Sequence, residues 1–217
     1  MKIIFFYFLF PMIGFAQVKS PVVLKTTPWG YVNPFQQTGD LFVDIPLSTH
    51  WGLELGAVWV ANSLVFARYK GETYKGYKLK PALKYYFKRT DGVGTYLSLA
   101  LKYHQIHYNR YYRVERQGGQ YTDWILRRRA VVAWGASVKF GTQQYIDSKK
   151  RWTMEPFMGL GVRRKKISLQ ALPLDAAQQF DTRQFFSILR QPGIYLGGDL
   201  LVGIYLGYTL KRKAPRR

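Results

Sequence analysis

The chain has no cysteine at any of its 217 positions. It can therefore form neither a disulfide nor a thiolate metal site, and a lipid anchor on an N-terminal cysteine is excluded. Acidic residues are also scarce, because 12 Asp and Glu stand against 33 Lys and Arg, which gives a net charge of +21. A charge this large favours anionic partners such as nucleic acid, anionic lipid or phosphorylated glycolipid.

Beyond the first residues, the sequence also lacks a run that is long and apolar enough to be a membrane-spanning helix. The best candidate, Ile194 to Leu210, is interrupted by four glycines and by Asp199. A chain that enters a membrane without such a helix must do so as a closed barrel.

Residues 1–16 have the three-part layout of a secretory signal peptide. Met1 and Lys2 form a basic start, Ile3–Phe15 is a short apolar region, and small residues precede a cleavage site near Ala16. The apolar region is too short to span a bilayer. Export removes nucleic acid from the expected partners and leaves anionic lipid and glycolipid.

The stretch Tyr77 to Lys88, which reads YKLKPALKYYFK, alternates apolar and polar side chains with a period of two. It predicts a strand with one apolar face and one lysine-rich face. The lysines would meet water in a soluble sheet and the lumen in an outer-membrane barrel. Seven other segments also read as strands, at about Val22–Val32, Asp40–Pro46, Trp51–Val60, Thr95–Tyr108, Leu126–Tyr145, Trp152–Val162 and Gly193–Leu210.

The connections between these strands alternate in length. The second, fourth and sixth are short turns, at Leu47–His50, Arg89–Gly94 and Ile146–Arg151. The third, fifth and seventh are long, at about Ala61–Gly76, Asn109–Ile125 and Arg163–Pro192. An even-stranded barrel with both termini in the periplasm has this alternation, with its long loops outside. The sequence therefore predicts an all-β fold, an eight-stranded antiparallel up-and-down transmembrane β-barrel over residues 17–210, followed by a basic tail at 211–217.

Two prolines, Pro81 and Pro156, lie inside predicted strands. Proline cannot donate a hydrogen bond to a sheet, and a closed barrel has no edge strand to accept it. The two prolines therefore predict local bulges or shifted strand boundaries.

Short motifs in several strands carry a resemblance to known proteins, namely Leu24–Thr26, Trp51–Leu53, Pro81 with Lys84–Tyr86, Gly94–Leu97 and Gly203–Tyr208. With these motifs the chain resembles the small outer-membrane β-barrel proteins of Gram-negative bacteria, in the broad OmpA/OmpX-like class. Within that class it is similar to a family known only as a domain of unknown function. The resemblance implies a fold and a location in the cell outer membrane, and it brings no activity with it.

The predicted inward faces mix glycine, charged and hydroxyl side chains, which suits a narrow lumen that side chains fill. Charges in such a lumen need partners. We expect a structural network of ion pairs and regard a conduction path as the alternative. Its predicted members are Asp44, Glu54, Lys78, Lys80, Lys84, Lys102, Glu155 and Asp199.

The predicted outward faces begin or end with aromatic residues, as the interfacial girdles of outer-membrane barrels do. The predicted girdle consists of Trp51, Trp59, Tyr77, Tyr85, Phe87, Tyr103, Phe140, Trp152 and Tyr208.

Cations are predicted at the outer rim, where a charge on the lipid face costs only ~0–1 kcal/mol. Guanidinium groups bind phosphates in bidentate fashion, and the outer leaflet displays lipopolysaccharide phosphates. A generic solvated rim is the alternative. The candidate phosphate contacts are Lys75, Arg110, Arg113, Arg128, Arg164 and Lys166.

The sequence offers little for catalysis. Its three histidines are His50, His104 and His107, and the last two fall on opposite faces of one strand. Ser98 and His104 share a face but lie ~20 Å apart at the rise of a strand, far beyond hydrogen-bond reach. No catalytic, cofactor or metal site is predicted.

We therefore expect a non-enzymatic outer-membrane barrel with a filled lumen and cationic extracellular loops. It would be structural or interact with other surfaces, with outer-membrane lipid, lipopolysaccharide and the barrel-assembly machinery as partners. The alternatives are an exported soluble β-barrel that binds an anionic or apolar ligand, a lipid A-modifying enzyme, and a narrow pore.

Overall fold

The computed structural model describes residues 21–28, 38–60, 73–172, 176–178 and 192–210. The predicted signal peptide and the basic tail at 211–217 lie outside these residues, as do positions 29–32 of the first predicted strand. The described part contains nine strands: β1 (Val22–Thr26), β2 (Thr38–Pro46), β3 (Trp51–Val60), β4 (Thr73–Thr90), β5 (Val93–Arg116), β6 (Tyr121–Tyr145), β7 (Trp152–Leu169), β8 (Ala176–Gln178) and β9 (Gly193–Leu210). Among the described residues, no helix is long and apolar enough to cross a membrane.

Eight of these strands form one closed ring of backbone hydrogen bonds. Every neighbouring pair is antiparallel and the strands follow chain order around the ring, with β9 next to β7. The ring closes between β1 and β9, where Val22 lies opposite Leu210. The short strand β8 stays outside the ring and pairs with the far end of β5. The prediction of an all-β antiparallel sheet of eight strands is confirmed.

The two ends of the ring differ in their connections. Three short ones, at Leu47–His50, Asp91–Gly92 and Ile146–Arg151, lie beside the start of β1 and the end of β9. We call this end the turn end and the opposite one the loop end. Asp91 and Gly92 have φ angles of 53° and 93°, and a two-residue hairpin turn of type I′ needs positive φ at both positions.

The fifth connection is not the long loop that the sequence predicted at Asn109–Ile125. Strand β5 continues to Arg116 and β6 already begins at Tyr121, with the two strands paired throughout. Between them, Gln117–Gly119 form a single 3-10 turn, in which Gly118 has a φ of 70°. The prediction was wrong because this polar and aromatic segment shows only a weak alternation of apolar and polar residues. Pairing between the two strands stabilises it as a strand instead.

The two prolines are accommodated without bulges. Pro81 pairs with Leu55 on β3, whereas the β4–β5 ladder has a gap between the Leu79–Tyr103 and Ala82–Ala100 pairs. These two pairs are three residues apart on both strands, so the register is unchanged across the gap. Pro156 behaves in the same way, with a gap in the ladder on one side only. Each proline therefore interrupts one ladder, and the predicted bulges at these two positions are wrong. The register shift that does occur in the β4–β5 ladder lies between Tyr86 and Lys88.

Side chains alternate between a buried inner face and an exposed outer face. On β3, even positions from Gly52 to Val60 are buried, whereas Trp51, Leu55, Ala57 and Trp59 on the outer face are exposed. The charged side chains Lys25, Asp44 and Glu54 are among the most buried of the described residues. Such a distribution reverses that of an ordinary soluble sheet, in which charge faces water.

Candidate functional site

The turn-end half of the interior holds six charged side chains, which we call the ion-pair cluster. They come from six different strands of the ring, so the closed sheet alone brings them together. All six side chains are at most 7% exposed. The members are Lys25 on β1, Asp44 on β2, Glu54 on β3, Lys84 on β4, Lys139 on β6 and Glu155 on β7.

Two lysines bridge all three carboxylates of the cluster. The Nζ of Lys25 lies 2.8 Å from Asp44, 2.7 Å from Glu54 and 2.8 Å from Glu155. The Nζ of Lys84 contacts the same three residues at 3.0, 2.7 and 2.7 Å. Each ammonium has three N–H donors, so each of these two lysines can direct one donor to each carboxylate.

The cluster is electrically balanced. Lys139 adds a third ammonium, 3.0 Å from Glu54, so that three cations match three anions. The hydroxyl of Tyr96 donates to Glu155 at 2.5 Å, and that of Tyr86 lies 3.2 Å from Asp44. The three carboxylates are close enough together to hold a metal ion, but ammonium nitrogens already occupy the positions between them. The arrangement is that of a charge-balanced network of buried ion pairs.

An aromatic layer lies next to the cluster on its loop-end side. Phe42 and Tyr205 have ring centroids 4.7 Å apart, and Phe157 stacks on Tyr205 at 4.6 Å. Glycines on the neighbouring strands, directly opposite Phe42 and Phe157 in the ladders, make room for these rings. A Cβ at Gly56 would lie 2.3 Å from the ring of Phe42, and one at Gly203 would lie 2.7 Å from Phe157. The layer and the cluster both lie in this half of the interior.

The loop-end half of the interior contains a cavity of about 390 Å³, which we call the upper cavity. Its charged lining is five cations and one carboxylate, namely Lys78, Lys80, Lys102, Arg163, Lys165 and Asp199. Asp199 is shared by Arg163 at 3.1 Å and Lys102 at 3.5 Å. The ammonium of Lys80 lies 5.6 Å from the ring centroid of Phe42, which connects the cavity to the aromatic layer below it.

The outer surface of the ring carries two aromatic bands. The turn-end band consists of Trp51, Tyr85, Phe87, Phe140, Trp152 and Tyr208, whose neighbouring rings lie 5.1 to 6.4 Å apart. The loop-end band consists of Trp59, Tyr77, Tyr103 and Trp134, in which Tyr103 lies 4.3 Å from Trp134 and 5.9 Å from Tyr77.

Exposed aliphatic residues cover the surface between the two bands, and we call this surface the apolar belt. The most exposed members are on β9, where Leu196 is 80% and Leu200 75% exposed. The belt also includes Leu41, Leu55, Leu79, Leu83, Leu97, Leu99, Leu101, Val138, Met158, Leu160, Val162, Val202 and Ile204. A soluble monomer rarely exposes a contiguous apolar patch beyond about 600 Å².

The predicted rim cations lie at different heights. Three of them, Lys75, Arg164 and Lys166, are exposed beside the loop-end band. Lys75 lies two residues beyond Tyr77, and Arg164 pairs with Trp134. Arg128 and Arg113 are exposed too, but they lie six and ten residues beyond that band on the β5–β6 extension. The side chain of Arg110 lies outside the described part of the structure.

Two other arginines of the β5–β6 extension are engaged within the protein. Arg127 is 6% exposed, donates to the carbonyl oxygen of Gln170 and lies 5.7 Å from the ring centroid of Tyr112. Arg116 pairs with Asp123 at 3.4 Å.

The structure divides the predicted lumen network into two groups. Asp44, Glu54, Lys84 and Glu155 meet in the ion-pair cluster, whereas Lys78, Lys80, Lys102 and Asp199 line the upper cavity. Sequence reasoning did not include Lys25 and Lys139 in the network. Both lie on inward faces. The alternation of Val138 with Lys139 on β6 could have identified Lys139, whereas Val22, Val23 and Leu24 on β1 are all apolar and give no alternation that would place Lys25.

The residues considered for catalysis are dispersed. His50 stacks beside Tyr85 at the turn end, with ring centroids 6.0 Å apart, and His107 lies 3.0 Å from Gln105. His104 lines the upper cavity. In the described part of the chain, the Oγ of Ser98 has no hydrogen-bond partner, so it is not paired with a histidine.

Comparisons of the chain with protein-family models, with curated proteins and with solved structures gave no match. Function is therefore argued from the geometry alone.

Proposed function

We propose that this chain is an integral outer-membrane β-barrel with a filled lumen, which acts without catalysis as a structural or surface-interaction protein. The single observation that carries the proposal is the apolar belt between two aromatic bands on the outside of a closed ring. In water this surface would cost free energy in proportion to its area, at ~25 cal/mol per Å². In a bilayer the same surface is the natural contact with acyl chains.

The height of the belt supports insertion. Trp51 and Trp59 mark the two bands on β3 and are eight residues apart. At a rise of ~3.4 Å per residue they are ~27 Å apart along the strand. Strand tilt shortens this distance along the membrane normal, so the belt is comparable with the ~25 Å apolar band of outer-membrane barrels.

The filled interior favours a structural role over conduction. The ion-pair cluster and the aromatic layer occupy the turn-end half, and Phe42, Lys84 and Glu155 have no exposed surface there. Ions would have to displace paired charges that are already matched within the protein. In this proposal the turn end faces the periplasm and the loop end faces outward.

Lipopolysaccharide is the proposed contact of the outer rim. Lys75, Arg164 and Lys166 point outward beside the loop-end band, where phosphates of the outer leaflet would lie. Guanidinium and ammonium groups at that depth would form charge-assisted hydrogen bonds with phosphate oxygens.

Membrane fractionation tests the proposal. The protein is expressed in a Gram-negative host, and the outer-membrane fraction is washed with carbonate and run unheated and boiled on a denaturing gel. We expect it in the washed membrane, with the unheated form migrating faster than the boiled form. Recovery in the soluble periplasmic fraction would instead establish the exported soluble barrel. Planar-bilayer recording distinguishes the narrow pore, since a filled lumen should give no steady conductance.

A further inference from the structure

The upper cavity has an excess of positive charge in its lining, whereas the ion-pair cluster is balanced. The ion-pair cluster matches three cations with three carboxylates. The cavity instead has five cations against the single carboxylate of Asp199. Asp199 is already shared by Lys102 and Arg163.

Three lysines of the cavity have no ion-pair partner among the described residues. In this part of the chain, no carboxylate lies within ion-pairing distance of Lys78, Lys80 or Lys165, and the buried carboxylate of Asp40 acts on Lys78 and Lys80 only from beyond that distance. All three are partly buried. Grouping like charges in a partly buried space costs free energy unless an anion offsets them.

The surroundings of these lysines form a cup. The aromatic layer closes it toward the turn end, because Lys80 packs over Phe42. Tyr74 and Tyr108 stack on each other at 5.3 Å in its wall. Its volume of about 390 Å³ falls within the ~300–1,000 Å³ range of small-molecule sites.

We propose that the upper cavity binds a small phosphorylated anion. A phosphate group presents several acceptor oxygens and close to two negative charges at neutral pH. It can therefore accept hydrogen bonds from several ammonium groups at once, with the guanidinium of Arg163 as a bidentate donor. The volume accommodates a group as large as a sugar phosphate. This site is inside the ring, separate from the proposed rim contacts, and it does not depend on the location of the chain in a membrane.

Isothermal titration calorimetry of the refolded protein in phosphate-free detergent tests the site. The ligands are inorganic phosphate, glucose 1-phosphate and glucose. We expect the phosphate ligands to bind and glucose not to bind. In the variant Lys78→Gln/Lys80→Gln, the affinity should fall by about tenfold or more, because two charge-assisted hydrogen bonds are lost.

A matched control removes the same number of charges from exposed positions outside the interior, at the turn end. The variant Lys88→Gln/Lys149→Gln changes two exposed lysines and should keep its affinity within about twofold. If glucose 1-phosphate binds more tightly than phosphate, the ligand of the cavity is a phosphorylated small molecule. If only phosphate binds, the ligand is the free ion.

Two results would overturn the proposal. One is the absence of binding by either phosphate ligand to a wild-type protein whose migration on an unheated gel shows that it is folded. The other is an equal loss of affinity in the inner and outer double variants, which would place the anion on the surface. As a second readout, phosphate should raise the melting temperature of the wild type but not of Lys78→Gln/Lys80→Gln.

Discussion

The ammonium nitrogen of Lys84 lies 2.7 Å from Oε1 of Glu155, across the interior of the ring and 71 positions apart in the chain. The two residues belong to β4 and β7, which are not neighbours in the sheet. The contact exists because the ring is closed, and it ties opposite walls together. Lys84 also contacts Asp44 and Glu54, so removing it changes the balance of the whole cluster.

Replacing Lys84 with methionine should destabilise the protein strongly. The side-chain volume is nearly conserved, but three buried carboxylates would be left with two cations. Breaking a buried ion pair in this way costs about 3–5 kcal/mol. Urea unfolding of the refolded protein in lipid vesicles measures the change in the free energy of unfolding.

The control is Lys88→Met on the same strand, where the side chain is exposed. We expect it to stay within about 0.5 kcal/mol of the wild type. Equal effects of Lys84→Met and Lys88→Met would mean that the ion-pair cluster does not stabilise the interior.

A second prediction concerns the space around the aromatic layer. In Gly56→Ala, the new Cβ would lie 2.3 Å from the ring of Phe42, which is itself fully buried. Overpacking of this kind costs about 1–3 kcal/mol. Gly197→Ala is the matched control, since nothing lies within 4 Å of a Cβ built there. If both alanine variants unfold at the same urea concentration, the proposed packing of the layer is incorrect.

The alternation of apolar and polar side chains predicted much of the fold. Tyr77 to Lys88 proved to be part of β4, with Lys84 buried inside and five large apolar side chains exposed outside, namely Tyr77, Leu79, Leu83, Tyr85 and Phe87. Lys84 could be assigned to the interior because a period of two fixes which side chains share a face. The strand boundaries could be predicted less well. Strand β5 extends to Arg116 and β6 begins at Tyr121 because of cross-strand pairing, which the pattern of a single strand does not reveal.

The position of a charge along its strand indicates in which half of the interior it lies, but the partners of each inner charge could not be predicted. Lys80 and Lys84 are four residues apart on one face. Lys84 forms ion pairs with three carboxylates, whereas Lys80 forms none with the described residues. The difference arises from which strands face each other across the ring. That arrangement depends on strand tilt and stagger, and no local sequence pattern encodes either. Lys25 was missed for a related reason, since its three partners come from β2, β3 and β7.

The apolar belt provides a third prediction, because charge on a lipid-facing surface has a cost that depends on depth. Leu99 lies in the middle of the belt and is 57% exposed, whereas Ile146, at 55% exposed, lies at the turn end. In lipid vesicles, Leu99→Arg should lower the free energy of unfolding by about 2–4 kcal/mol and Ile146→Arg by about 0–1 kcal/mol. A soluble barrel would tolerate both changes almost equally, so similar values for the two variants would argue against insertion.

The final prediction separates specific phosphate contacts at the rim from a generic effect of positive charge. The variant Lys75→Gln/Arg164→Gln/Lys166→Gln removes three exposed cations beside the loop-end band. If their side chains bind phosphate oxygens, the variant in vesicles should retain less lipopolysaccharide, by about tenfold in affinity, since each lost charge-assisted bond contributes.

The turn-end variant Lys88→Gln/Lys149→Gln/Arg151→Gln is its control, because it also removes two lysines and one arginine from exposed positions. Binding is measured with labelled lipopolysaccharide, and again after both phosphates of its lipid A have been removed. We expect only the loop-end variant to lose affinity, and only toward the phosphorylated ligand. An equal loss in both triple variants would indicate non-specific attraction to a chain of net charge +21, and the rim would then be an ordinary solvated surface.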